Sequence, residues 1–179
     1  MPILWSNSSE YRTGRLLPLG GHGVSSNLIR PIRVHDVKEV IAIEEQSFPE
    51  PWGAGVFMRL ALGAGHLFLD SNAELDFHVL EREGTIIGYV AWESSFATGR
   101  GHILNLAVRE DQRRRGHASR LLEFTLQRMR EKNIKTVFLE ARENNMAARR
   151  LYEAHGMTAS DRIRDYYGTT DAIIYTMNL

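Results

Sequence analysis

The spacing of apolar and polar positions separates an irregular start from a regular remainder. Residues 1–27 are rich in Ser, Gly and Asn and carry no period, so a flexible extension is expected there, with Ile3, Leu4 and Trp5 able to dock. From Leu28 onward, strand-like and helix-like patterns follow one another with short connections. Residues 29–34 predict a short strand. Asp36, with Glu39 three positions on, reads as a helix cap before Val37, Val40, Ile41 and Ile43. That helix is expected to reach Ser47 and to stop at Phe48-Pro49-Glu50-Pro51-Trp52. A second helix is predicted over 54–62. After a loop, 77–82 and 85–93 read as a hairpin around Glu83-Gly84, and 102–108 as the next strand.

The clearest amphipathic pattern lies over 116–132, where Ala118, Leu121, Leu122, Thr125, Leu126 and Met129 make one stripe. Residues 135–142 predict another strand. Asn144 or Asn145 caps a further helix whose inner face is Ala148, Leu151, Tyr152 and His155, ended by Gly156. Strands over 157–166 and 172–177 close the chain. The order β-α-α-β-β-β-α-β-α-β-β implies one mixed α/β domain over 28–179, with no internal repeat.

Length and charge narrow the function. A chain of 179 residues suits one domain with a sizeable core. Lys+Arg and Asp+Glu both number 22, so the net charge is zero and direct nucleic-acid binding is not expected. The absence of cysteine rules out disulfides, a thiol nucleophile and thiolate metal ligation, and fits a reducing compartment. No apolar stretch approaches the roughly 20 residues of a membrane span. The start lacks the basic-then-apolar order of a signal peptide, so a cytoplasmic protein without membrane contact is expected. The seven histidines show no metal spacing such as His-x-x-x-His. No metal is expected, and most of them are assigned to the surface or to loops.

The most specific local signal is Arg113-Arg114-Arg115-Gly116-His117-Ala118. It sits where the 102–108 strand gives way to a helix. Glycine lets backbone approach a ligand closely, and Ala118 keeps the next turn free of bulk. The first amides of a helix have no internal partners, and with the positive end of the dipole they suit a pyrophosphate. The three arginines would add charge and reach a ribose phosphate. The same six residues serve equally well as a polar turn with a solvated basic cluster. A dinucleotide fold fits less well, because no Gly-x-Gly-x-x-Gly is present.

The flanking residues decide between these. The strand Ile103-Leu104-Asn105-Leu106-Ala107-Val108 followed by Arg113-x-x-Gly116-x-Ala118 resembles the acetyl-coenzyme-A signature of the GNAT superfamily. Downstream, Leu139-Glu140-Ala141-Arg142-Glu143-Asn144-Asn145 continuing through Leu151-Tyr152-Glu153 to Gly156-Met157 resembles the RimI and archaeal NatA-like protein N-terminal acetyltransferases. Ser47-Phe48-Pro49-Glu50-Pro51-Trp52 and Tyr166-Tyr167 with Asp171-Ala172 resemble the same group. The resemblance covers 28–179. It departs at Met157 in place of Phe, at Ala141 in place of Val, and in a shorter 167–171 segment.

The resemblance implies a single GNAT-type domain, α/β in class, with a central mixed, mostly antiparallel twisted sheet flanked by helices. It implies acetyl-CoA as co-substrate and protein N-termini, ribosomal or nascent, as acceptors, with an auxiliary subunit as a conceivable partner. Glu140 becomes the general base and Tyr152 the general acid. Leu106, Ala107, Val108, Arg113, Arg114, Arg115, Gly116, His117, Ala118, Ser119 and Asn145 become the acetyl-CoA site. Phe48, Glu50, Trp52, Tyr166 and Tyr167 become the peptide entrance. From spacing alone, Glu140 shares a strand face with Phe138 and is expected on the core-facing side, where a carboxylate needs a task or a partner such as Arg142. From spacing alone, Tyr152 reads as a core tyrosine. An acetyltransferase for a small amine (a polyamine or an aminoglycoside) and a non-catalytic acetyl-CoA-binding module remain the alternatives.

Overall fold

Eight strands form one mixed sheet with four α-helices on its faces, in a computed structural model that describes residues 27–179. In chain order the elements are β1 (Asn27–Pro31), α1 (Val37–Ser47), α2 (Ala54–Leu62), β2 (His66–Asp70), β3 (Ala73–Arg82), β4 (Thr85–Ser95) and β5 (Arg100–Val108). There follow α3 (His117–Glu131), β6 (Thr136–Arg142), α4 (Met146–Ala154), β7 (Thr158–Ile163) and β8 (Ala172–Asn178). The strands lie in the order β1-β3-β4-β5-β6-β8-β7, and β2 pairs with β3 on the edge that β1 also uses. Every pairing is antiparallel except β5–β6. The mixed, mostly antiparallel sheet expected from the sequence is therefore what forms. Among the described residues no helix is long and apolar enough to cross a membrane.

Two cores hold the layers together. On one face, Val40 and Ile43 of α1 and Phe57 and Leu60 of α2 close over Phe77, Val79, Tyr89 and Ala107. On the other, Leu121, Leu122, Leu126 and Met129 of α3 and Tyr152 of α4 pack on Val90, Trp92, Val137, Leu139 and Tyr175. Fully burying each such side chain contributes about 1.5–3 kcal/mol.

Local differences from the expected elements have local causes. Asp36 does not cap α1 with its side chain. Its carboxylate accepts instead from Arg30 at 2.6 and 2.9 Å and from the Arg33 amide at 2.7 Å. Glu39 accepts from the Ile86 amide at 3.0 Å rather than turning back to the helix start. β1 ends at Pro31, short of the expected residue 34, and Val34–Asp36 form one turn of 3-10 helix. β2 was expected to be a loop, because its Leu67-Phe68-Leu69 run lacks alternation; it follows a glycine turn and lies on the sheet edge, largely exposed. Apart from Asn27, which opens β1, the expectation for residues 1–27 lies outside the described residues.

One irregularity positions the site. β5 and β6 pair only at Arg100–Thr136, Gly101–Val137 and His102–Phe138, and then part. On the other side of β5, Asn105 faces Ala91 while Ile103 faces Trp92, so Leu104 is an extra residue in the ladder. A bulge of this kind bends its strand and sharpens the twist. Past it, Asn105 to Val108 pair with β4 alone among the described strands, which leaves one backbone edge of β5 open.

Candidate active site

A cleft of about 260 Å³ lies where β5 and β6 part. Eight of the residues expected to form the site line it: Phe48, Glu50, Trp52, Leu106, Glu140, Asn145, Tyr152 and Tyr167. Five separate chain segments thus converge: the stretch after α1, β5, β6, α4 and the β7–β8 loop.

Glu140 is on β6, sharing a face with Phe138 as expected, but that face is not the apolar one. Val137, Leu139 and Ala141 are the residues that enter the core with α3 and α4. Its partner also differs from expectation. Glu140 Oε2 lies 2.7 Å from His102 Nε2 on β5, whereas Arg142 stacks over the Tyr167 ring at 4.1 Å. The His102 ring is itself stacked on Phe138, with centroids 4.2 Å apart and planes 13° apart. Carboxylate and imidazole are therefore both fixed in orientation at the point where the strands separate. Glu140, its side chain 16% exposed, lines the cleft, and His102 stands behind it.

Tyr152 of α4 lines the same cleft as Glu140. Burial pushes its phenol up to about 12, with Tyr167 adding to the shift. The hydroxyl therefore stays protonated across the neutral range. Asn145 caps α4, its Oδ1 accepting from the Ala148 amide at 3.1 Å in an ordinary side-chain cap. Its side-chain amide NH2 is not used by that bond.

The 113–118 turn closes the far end of β5. Arg114 and Gly116 both sit in the left-handed region, at φ 61° and 81°. A Cβ at Gly116 would meet nothing within 4 Å, so backbone conformation rather than crowding calls for glycine, and the space beside it is open. No side chain caps α3, so its first amides are left for an outside acceptor. The three arginines divide. Arg113 turns back, donating Nε to the Val108 carbonyl at 2.9 Å and Nη2 to Ser47 Oγ at 3.3 Å. Arg114 and Arg115 are exposed. His117 is buried, contrary to the surface placement expected of most histidines, so only its backbone can serve a ligand at this turn. Burial, with Arg82, Arg115 and Arg120 nearby, holds its imidazole below the usual range. Ala118 and Ser119 are partly buried in the first turn of α3. Ala107 and Val108 bury their side chains in opposite cores and present backbone only.

At the mouth, the segment after α1 is tied down by a residue that the sequence did not single out. Glu44 is fully buried and accepts from the Trp52 amide at 2.9 Å and from Asn105 Nδ2 at 3.2 Å. Burial raises its carboxyl above the usual range. Across the mouth, Asp171 accepts from the Asp165 amide at 2.9 Å and from Arg162 at 2.5 Å, which braces the loop carrying the tyrosines. Tyr167 lines the cleft. Tyr166 does not; it is exposed and edge-on to Tyr167, with centroids 4.9 Å apart. His102 and Glu44 escaped sequence reading because each acts through a partner far along the chain.

Comparison with known proteins agrees with this architecture. The profile of the Acetyltransferase (GNAT) family matches residues 37–157. An N-alpha-acetyltransferase of Sulfurisphaera tokodaii is 31% identical over 150 residues, covering 78% of this chain and 84% of its own. The [ribosomal protein bS18]-alanine N-acetyltransferase of Escherichia coli K12 is 27% identical over 145 residues, covering 81% and 90%. The crystal structure of Arabidopsis thaliana NAA60 in complex with acetyl-CoA shares the fold, with a TM-score of 0.70 at 18% identity over 86% of this chain and 99% of that one. With the profile spanning most of the regular part, and the 113–118 turn and the open edge of β5 inside it, the chain belongs to the GNAT family and is an acetyltransferase.

Proposed function

We propose that the chain transfers an acetyl group from acetyl-CoA to the α-amino group of protein N-termini. The observation that carries this is that Glu140, held by His102, and Tyr152 line one cleft along the open edge of β5. The curated relatives act on N-terminal amines by name, one of them on a ribosomal protein, which supports the same acceptor class here.

The residues present fit acetyl-CoA. The uncapped start of α3 with Gly116, Arg114 and Arg115 suits the phosphates, and the unpaired edge of Asn105 to Val108 suits an extended amide-bearing arm laid beside it. When bound, the co-substrate supplies an activated acyl group as a thioester. The protein's part is to hold the amine and move protons.

Glu140, oriented by His102, takes a proton from the incoming amine, whose ordinary pKa near 8 asks for only a modest base. The amine nitrogen bonds to the carbonyl carbon, the carbon–sulfur bond breaks, and sulfur leaves with the electron pair. Tyr152 donates a hydrogen bond to that sulfur. A phenol held at about 12 cannot give its proton outright to a thiolate of pKa near 8.5, the step being uphill by about 5 kcal/mol. Tyr152 thus stabilises departing charge by hydrogen bonding and passes its proton only as another reaches it. Trp52 and Tyr167 flank the mouth, where a peptide's first residues would enter.

Incubation with acetyl-CoA and peptides differing in their first two residues tests the proposal. Acetylation of peptide α-amines is expected. Acetylation of polyamines or aminoglycosides with none of any peptide would transfer the assignment to a small-amine enzyme.

A further inference from the structure

A second group of reactive side chains lies on the β1–β2 edge of the sheet, beneath the end of α3. His66 of β2 and Glu74 and Asp76 of β3 each offer one ligand atom, all within 4.8 Å of one another. The antiparallel register sets His66 opposite Asp76, and Glu74 and Asp76, two residues apart, share a face. Both carboxylate side chains are only 8% exposed.

Leaving His66 aside, the charges there do not balance. Lys132, the C-cap of α3, donates its ammonium to Glu74 and, at 2.6 Å, to Asp76. One positive charge thus faces two buried negative ones. His78, next along the same face, is held by burial down to about 4 and adds no charge. Arg128 is engaged by Glu131 at 2.8 Å. His66 places Nδ1 3.1 Å from Asp76 Oδ1 and Nε2 3.6 Å from Glu74 Oε2. A neutral imidazole has a single N–H, so its other nitrogen turns a lone pair toward a carboxylate oxygen. A cation between the three residues removes that repulsion.

Two further buried polar groups lie on the neighbouring strand. Ser94 stands directly across from Glu74 and Trp92 directly across from Asp76, on the same face. Both are fully buried, and Ser94 Oγ and Trp92 Nε1 have no hydrogen-bond partner. Buried polar groups left unmatched are uncommon and call for a water, and a hydroxyl such as that of Ser94 can also accept from a metal-bound one.

We propose that His66, Glu74 and Asp76 bind one divalent cation of the zinc or manganese class, with Lys132 as the competing occupant. One imidazole with two carboxylates suits these ions, being too oxygen-rich for copper(I) and too nitrogenous for calcium. Metal bonds of about 2.1 Å in a tetrahedral set put ligand atoms about 3.4 Å apart, so atoms that lie within 4.8 Å of one another need to close by up to about 1.4 Å to complete the set. Lys132 has the freedom to yield, being at a helix end with its side chain 24% exposed. A metal-bound water supplies Ser94 Oγ with the partner it lacks. The site lies at the opposite end of α3 from the 113–118 turn, and a 15-residue helix spans about 22 Å. Its role is to clamp β2 to β3, not to take part in acetyl transfer.

The test uses untagged, chelator-treated protein, titrated calorimetrically with zinc chloride and by electron paramagnetic resonance with manganese chloride. One-to-one binding is expected, with a raised melting temperature in the presence of metal. Lys132→Met removes the competing ammonium and should tighten binding about tenfold or more; His66→Ala should weaken it by a similar factor. Acetyl-transfer rates should be unchanged in both variants, which keeps this site separable from the cleft. No saturable binding of either metal at millimolar concentration would overturn the proposal. So would binding indifferent to both substitutions.

Discussion

The two walls of the cleft are built from different materials. The β5 wall, with the turn that follows it, is made of backbone: an unpaired strand edge, an uncapped helix start and left-handed residues at Arg114 and Gly116. The wall of β6 and α4 is made of side chains: Glu140 held by His102, Tyr152 of α4, and Asn145, whose Oδ1 caps its own helix. Two helix starts therefore face different tasks. α3 keeps its amides for a ligand, whereas α4 satisfies one from within. The contrast teaches where substitution should be felt as lost chemistry and where as lost binding.

Glu140→Gln should give the largest effect, lowering kcat by about 10²–10⁴-fold with little change in acetyl-CoA affinity, as measured by steady-state kinetics and calorimetry. A loss confined to affinity would mean that the side-chain wall binds rather than reacts. Tyr152→Phe should follow, with kcat reduced on the order of 10²-fold. Because burial holds the phenol at about 12, it remains the donor at all working pH values. The rise in rate as the peptide amine loses its proton near pH 8 should therefore persist in Tyr152→Phe, the amine being its source; its disappearance would reassign it to the tyrosine.

Gly116→Val tests the other wall. Forcing a β-branched residue to φ 81° carries strain of about 1–3 kcal/mol. The dissociation constant for acetyl-CoA should rise about tenfold, with kcat at saturation nearly intact. Asn145→Ala should cost about 1 kcal/mol of stability through the lost cap, read as a shift in thermal midpoint. Arg114→Ala should be smallest, a change of about threefold or less in acetyl-CoA affinity that fades as salt rises, because the side chain is exposed.

Sequence legibility followed distance along the chain. The turn at Gly116, the helix that it opens and the cap at Asn145 are local arrangements of neighbouring residues, and their patterns locate them. The partner of Glu140 is not local. His102 is 38 residues away, and only the parallel register of β5 on β6 brings the two together, so the neighbouring Arg142 was the natural expectation. Glu44 reaches Asn105 across 61 positions for the same reason. β2 went unseen because a short edge strand facing water has no buried face to impose alternation. Glu74 and Asp76 hid the start of β3, since acidic residues at alternate positions read as solvent-facing when they in fact point under α3.

Leu104 gives the molecule its reactive opening by being one residue too many. β5 and β6 begin as a continuous ladder, and the insertion unfastens them from that point on. A single-codon deletion at position 104 would bring the rest of β5 back into step with β4 and remove the bend that carries it away from β6. The strands would then be free to zip together past His102 and Phe138, and the space for a substrate would become ordinary sheet. Catalytic capacity in this fold can thus be erased by a deletion that touches none of the reacting groups.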